Sequence, residues 1–208
     1  MSTIDRLSLV QWLSPAFPVG GYAYSHGLEQ SIARGDVSDA DSFACWLRSI
    51  LTHGAGRSDA ILLCCALRGD NVADEARAFC PSSERWVETI DQGRAFLAVT
   101  NSLYGEARAP AALPVAVGLV AQCLSLSGAE VAAIYLHSFA SNLVSAAVRF
   151  VPLGQTAGQA VLNTLHPMLV TLAEEAEHAT VDQIGTSVFG ADLAAMEHEV
   201  MDVRVFRT

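Results

Sequence analysis

The chain contains no lysine. Twelve arginines face 22 acidic residues, for a formal net charge of −10. Such a balance repels a phosphate backbone and speaks against a nucleic-acid partner. Charge of either sign is scarce, at 16% of residues against the roughly 25% usual in soluble proteins. About half the residues (51%) are apolar. A chain so thinly coated is expected to have apolar surface covered by a partner. Cysteine is equally uninformative for chemistry. Cys45, Cys64, Cys65, Cys80 and Cys123 are odd in number and form no CxxC pair. That argues against a disulfide framework and a structural zinc site, and predicts buried free thiols in a reducing cytoplasm.

The N-terminal MSTIDRLSLVQWLSP lacks the basic region and small-residue cleavage pattern of a signal peptide. Residues 109–129, 131–148 and 150–173 carry no formal charge. Prolines, glutamines, asparagines and histidines interrupt them, and no arginine clusters or aromatic belts flank them. They are therefore expected as buried helices rather than membrane spans. Alternating strand patterns with hairpin turns are missing too.

Helical periodicity runs nearly throughout. A short helix is expected over 4–13, with Leu7, Val10 and Leu13 on one face. A second runs from a Ser25 cap to Arg34, stopped by Gly35. Ser38 and Asp41 resemble a capping box for a third, with Phe43, Trp46, Leu47, Ile50 and Leu51 at helical spacing. Ser58 can cap a fourth, whose AILLCCAL run (60–67) is apolar all round. A short helix follows at 71–79. A long one reaches Leu103 and carries Trp86, Ile90, Phe96 and Leu97. Further helices are expected over 113–126, 130–151 and 156–178, with Pro152 ending the second of these. Pro167 should kink the last, and another helix covers about 192–203. The expected fold is all-α, a single-domain bundle of about eight to ten helices over 1–208. Between Ala109 and Ala173 only Glu130 and Arg149 are charged. Part of that region is predicted to be bundle centre and part an oligomer interface.

No catalytic constellation is present. GxSxG, Walker and HExxH patterns are absent. Ser25 next to His26 does not make a nucleophile and base, because a triad needs spatial placement and an orienting acid. The Glu197-His198-Glu199 run offers adjacent residues that point apart, not ligands on one helix face. A helical metal-binding protein or hydrolase using Ser25, His26 and Glu29 is the weaker alternative. Function is expected to reside in surfaces. One candidate is SPAFPVGGYAYSHGLE (14–29), where prolines and glycines shape a turn and Phe17, Tyr22, Tyr24 and Glu29 are either its buttress or a contact surface. The other is RFVPLGQTAGQ (149–159).

These residues carry a family resemblance. SPAFPVGGYAYSHGLEQSIARGDV (14–37) resembles the N-terminal motif of the UreF family of urease accessory proteins, which runs roughly S-P-x-x-P-x-G-x-[FY]-x-[YF]-S-x-G-L-E and then Gly-x-Val. AVRFVPLGQTAGQ (147–159) is similar to that family's A-[VI]-R-[LFA]-x-P-[LI]-G-Q-x-x-G-Q segment. DLAAMEHEVMDVRVFRT (192–208) resembles its C-terminal ending. The three lie in family order. Two departures are Ala112, where a histidine is common, and Val205 and Thr208 in the ending.

The resemblance implies an all-α, non-enzymatic, cytoplasmic protein that forms homodimers. It implies a bridge between UreD (also called UreH) and the GTPase UreG, docked on the urease apoprotein and assisting GTP-dependent nickel insertion. No resident cofactor, metal ligand or catalytic residue is implied. Candidate partner-binding residues are Phe17, Tyr22, Tyr24, Ser25 and Glu29 in the first motif, Arg149, Gln155 and Gln159 in the second, and Arg204, Phe206 and Arg207 in the third. The tail, about 200–208, is expected to be flexible until UreD orders it.

Overall fold

A computed structural model describes residues 2–151 and 153–207; the expected helix terminator Pro152 lies outside the described residues. Helix α1 spans Thr3–Trp12, α2 Leu28–Ala33, α3 Ala40–His53, α4 Ala55–Arg68, α5 Ala73–Ala78 and α6 Ser83–Tyr104. Helix α7 spans Leu113–Ala121, α8 Gly128–Phe150, α9 Gln155–His178 and α10 Phe189–His198. Single 3-10 turns sit at Gly21–Ala23 and Val181–Gln183, and no strand occurs among the described residues. The all-α bundle is as expected.

Helix α4 is the axis of the bundle. Its Ala60–Ala66 run is buried all round, as its unbroken apolar character requires. It packs against α3, α7, α8 and α9, while α8 and α9 form a long antiparallel pair. Gly118 lets α7 press onto α4, where a Cβ would collide with the Leu63 carbonyl. Helix α9 runs on through Pro167. Helix α8 is the one described helix long and apolar enough to cross a membrane, and 56% of its most apolar window is buried within the chain.

Several local expectations shift. The capping box at α3 is formed by Asp39 and Ser42, one residue from the predicted pair: Ser42 N–H donates to Asp39 Oδ1 at 2.8 Å, and Asp39 N–H donates to Ser42 Oγ at 3.1 Å. Helix α4 begins at Ala55, so Ser58 lies inside its first turn and donates to the Gly54 carbonyl. Helices α7 and α10 are shorter than predicted, ending at Ala121 and His198.

Helix α1 turns its other apolar face inward. Leu9 and Trp12 are its buried residues, whereas Leu7 and Val10 are 64% and 53% exposed. The indole decides the orientation. Trp12 meets Phe96 and Tyr104 edge-on, at 6.3 and 5.8 Å, and so draws its own face of the helix inward. Ile4, Leu7 and Val10 are left as an outward apolar stripe.

Candidate docking site at the junction of three motifs

The first motif folds as a tight relay from α1 to α2. Gly20 adopts φ 73°, a left-handed value that glycine tolerates, and starts the Gly21–Ala23 turn. Tyr22 stands on that turn, 70% exposed. Phe17 and Tyr24 are buried, and the Phe17 ring lies 5.5 Å from Phe96. Ser25 is fully buried and its Oγ accepts the Glu29 N–H. The N-cap of α2 is Gly27, two residues beyond the expected Ser25, whose hydroxyl reaches an amide of the first turn. His26 itself takes φ 54°, a strained setting for a residue with a Cβ. Gly27 follows at φ 76°, and a Cβ there would meet the Ala195 amide nitrogen at 2.7 Å. That contact is where α10 lies against α2.

His26 points into a buried polar cluster contributed by α4, α6 and α8. Its Nε2 lies 3.0 Å from Glu88 Oε1. Gln92 Nε2 donates to the same oxygen at 3.0 Å. Arg85 donates to Asp59 Oδ2 at 2.7 Å and lies 3.7 Å from Glu88. The Tyr135 hydroxyl donates to Asp59 at 2.8 Å. Burial pushes the Asp59 carboxyl up, against the pull of Arg85 and Tyr135. Burial and the Asp59 charge together raise the Tyr135 phenol. Arg85 therefore has acidic partners for a charge that would otherwise be costly inside the bundle. Beside the cluster is a cavity of about 70 Å³ lined in part by Tyr22, His26, Glu88, Gln92 and Asn142. Among the described residues, His26 Nδ1 has no hydrogen-bond partner.

The third motif closes over the first. His198, wholly buried, sits between two carboxylates: its Nδ1 is 2.8 Å from Glu84 Oε2 and its Nε2 is 3.2 Å from Glu29 Oε2. Glu29 also accepts the N–H groups of Val205 and Phe206, each at 2.9 Å. Burial pushes the Glu29 carboxyl up, but the Phe206 and Val205 amides and then His198 outweigh it, so its pKa falls below the ordinary value. Arg204 pairs with the other oxygen of Glu84. The neighbours of His198 diverge as predicted for adjacent helical positions. Glu197 reaches Gln30 and Arg34, both at 3.0 Å, while Glu199 accepts the Ser83 and Glu84 amides at the start of α6.

The second motif joins through Phe206. Its ring is buried, 4.8 Å from Phe150, with the Arg149 guanidinium 5.7 Å away over its face. The Arg207 N–H donates to the Ala23 carbonyl at 2.8 Å, which ties the tail back to the turn carrying Tyr22. Residues 204–207 thus lie along the body of the chain. Gln155 and Gln159 are exposed on the first turns of α9, and no contact among the described residues ties them to this junction. Sequence reasoning singled out Glu29, Arg149, Arg204 and Phe206. It missed Glu84, Glu88, Arg85 and Asp59, which look like ordinary helix-surface charges in one dimension. The one available hint was a histidine flanked by acids on an otherwise apolar helix.

The ordered meeting of these three motifs agrees with the relationships of the whole chain. The UreF family model matches residues 37–166. The chain belongs to the UreF family. It is 56% identical over 205 residues to the urease accessory protein UreF of Cereibacter sphaeroides (strain KD131 / KCTC 12085), covering 97% of this chain and 98% of that protein. It is 50% identical over 206 residues to the urease accessory protein UreF of Dinoroseobacter shibae, with 98% of each covered. The protein of the same name from Roseobacter denitrificans is 47% identical over 213 residues, covering 100% of this chain and 96% of the other. The family match leaves out the first and third motifs, but the full-length relatives span both. The UreF-family junction is therefore part of the region shared with them.

Proposed function

We propose that this chain is a non-enzymatic scaffold for urease maturation, bridging UreD (UreH) and UreG on the urease apoprotein during GTP-dependent nickel insertion. It acts in the cytoplasm and as a homodimer. The observation that carries this reading is the junction itself. Two motifs at opposite ends of the sequence, and a third between them, are held in one place by Glu29, His198 and Phe206. The inward residues Phe17, Tyr24, Ser25, Glu29 and Phe206 act as the frame. The outward residues Tyr22, Arg149, Arg204 and Arg207, with Gln155 and Gln159 on α9, make the contacts.

Around that frame α10 and the tail display Phe189, Leu193, Met196, Val200, Val203 and Val205, all substantially exposed. Phe189, Leu193 and Met196 recur at helical spacing along α10, as an amphipathic docking face does. Apolar groups of this kind, rimmed by charge, supply the desolvated centre of a protein interface. This face is assigned to UreD. The cavity beside His26 and Glu88 offers oxygen and imidazole groups that suit weak, exchangeable contact with a passing nickel ion.

Urease activation in a strain lacking this chain tests the reading, with complementation by the full chain. Capture of UreD by the chain with and without residues 200–208 tests the docking face. Full activation without the chain overturns the function. Undiminished UreD capture after truncation overturns the role of the tail.

A further inference from the structure

The end of the chain meets the body at a few discrete points. Helix α10 stops at His198, and residues 199–207 carry no helix or strand. Val200 and Val203, in the stretch leading away from the helix, are 81% and 77% exposed. Contact resumes at Arg204. Its guanidinium pairs with Glu84. The successive N–H groups of Val205 and Phe206 then converge on Glu29, one to each carboxylate oxygen, both at 2.9 Å. Consecutive amides turned onto one anion are a backbone nest. The Phe206 ring lies buried against Phe150, and the Arg207 N–H reaches the Ala23 carbonyl.

The groups that receive the tail belong to separate elements of the body. Glu29 is in the first turn of α2, Glu84 in the first turn of α6, Phe150 at the end of α8 and Ala23 on the Gly21–Ala23 turn. Backbone amides make the contacts of positions 205 and 207, and any residue except proline supplies them. The Val205 side chain, 66% exposed, is not read. Selection therefore falls on the cation at 204 and the aromatic ring at 206.

We infer that Glu29, Glu84, Phe150 and the Ala23 carbonyl form a peptide-binding site that reads a bent Arg-x-Phe segment, and that the chain's own residues 204–207 fill it in cis as a removable strap. Charge supports the choice of ligand. Without the tail, two carboxylates share the single His198 ring, so the open site favours a cationic segment and rejects an acidic one. The linker of five residues, 199–203, keeps the tail beside the site at an effective concentration on the order of millimolar. An Arg-x-Phe segment of another protein gains the site only when the tail has been drawn away. The site is independent of the scaffold role, which urease activation tests separately.

The test uses the full chain. Arg204→Ala with Phe206→Ala vacates the site without shortening the chain, and circular dichroism checks the fold. The probe is a fluorescein-labelled synthetic peptide of residues 201–207, MDVRVFR, followed by anisotropy. The doubly substituted chain should bind it saturably. The wild-type chain should bind it at least tenfold more weakly, because its own tail competes. Peptides with alanine in place of the first arginine or of the phenylalanine should each lose at least tenfold in affinity. Alanine in place of the valine between them should leave binding nearly unchanged. Glu84→Gln added to the vacated chain should weaken binding at least tenfold. A folded, vacated chain that ignores the peptide at millimolar concentration overturns the site, as does equal binding of all the peptides. If the double variant does not fold, hydrogen exchange of the wild-type chain decides. The Val205 and Phe206 amides should exchange at least tenfold faster than those of Ala60–Ala66 in α4, through opening of the tail alone. Exchange as slow as in α4 would make the tail part of the bundle and overturn the strap.

Discussion

Glu29 accepts the backbone amides of both Val205 and Phe206 at 2.9 Å, across most of the length of the chain. One carboxylate thus holds the tail on the first motif and also faces the His198 ring. Glu29→Ala is expected to cost about 2–4 kcal/mol, because it strands two amide donors and removes an acceptor from a buried ring. Denaturant unfolding gives the total. Hydrogen exchange at Val205 and Phe206 gives the local part, which should rise well before global unfolding. The pH dependence follows from the depressed pKa. The stabilisation from Glu29 is fully present above its ordinary value of 4.5 and is lost as the pH falls through the lower folded value. Glu29→Gln should flatten the acid limb of the stability curve.

The Asp59–Arg85 pair gives a different signature. Asp59→Leu alone leaves a buried guanidinium facing only Glu88, and Arg85→Met alone leaves buried acids without their cation. Each is expected to cost about 3–5 kcal/mol. The double replacement should recover at least half of the summed loss, since an apolar pair of similar volume avoids the unpaired charge. A double-mutant cycle in urea decides this. Strict additivity would mean that the pair is not coupled.

Tyr22 and Tyr24 separate docking from folding. They are two residues apart, yet one is 70% exposed and the other 6%. Tyr22→Ala should change stability by less than about 0.5 kcal/mol, while Tyr24→Ala should cost about 3 kcal/mol or more. If the exposed turn contacts a partner, Tyr22→Ala should weaken capture of UreD or UreG by tenfold or more at unchanged melting temperature. Equal capture would remove Tyr22 from the interface.

The cysteines predict a simple chemical readout. Cys45 and Cys123 are exposed, whereas burial pushes the Cys64 thiol up to about 12 and the Cys80 thiol up to about 11. A disulfide reagent at neutral pH should therefore modify two thiols quickly in the native chain and all five only after unfolding. Fast modification of Cys64 would contradict the packing of α4.

Helix content was legible because apolar spacing, caps and glycine stops agree along the chain. Gly35 ends α2 at φ 80°, as its sequence position implies. The orientation of α1 was not legible. Two apolar stripes compete there, and an indole packing on residues 96 and 104 settles the choice, which no local pattern encodes. The junction was half legible. Motif resemblance pointed to Glu29 and Phe206, but their pairing depends on the chain returning on itself. The acids and arginine of the buried cluster read as solvated helix faces, because charge on a helix usually is. Ser25 and His26 show the converse. Adjacent in sequence, one accepts an amide of the first turn of α2 and the other meets Glu88.

The distance in sequence between Glu29 and its tail amides also orders events during synthesis. Helix α2 and the start of α6 emerge from the ribosome long before His198, and until it arrives Glu29 and Glu84 lack the ring that sits between them. The fit of α10 against Gly27 waits on the same late segment. A nascent or prematurely terminated chain therefore carries an unfinished first motif with like charges left unbridged. Only a chain translated through residue 206 holds the three motifs together at this junction.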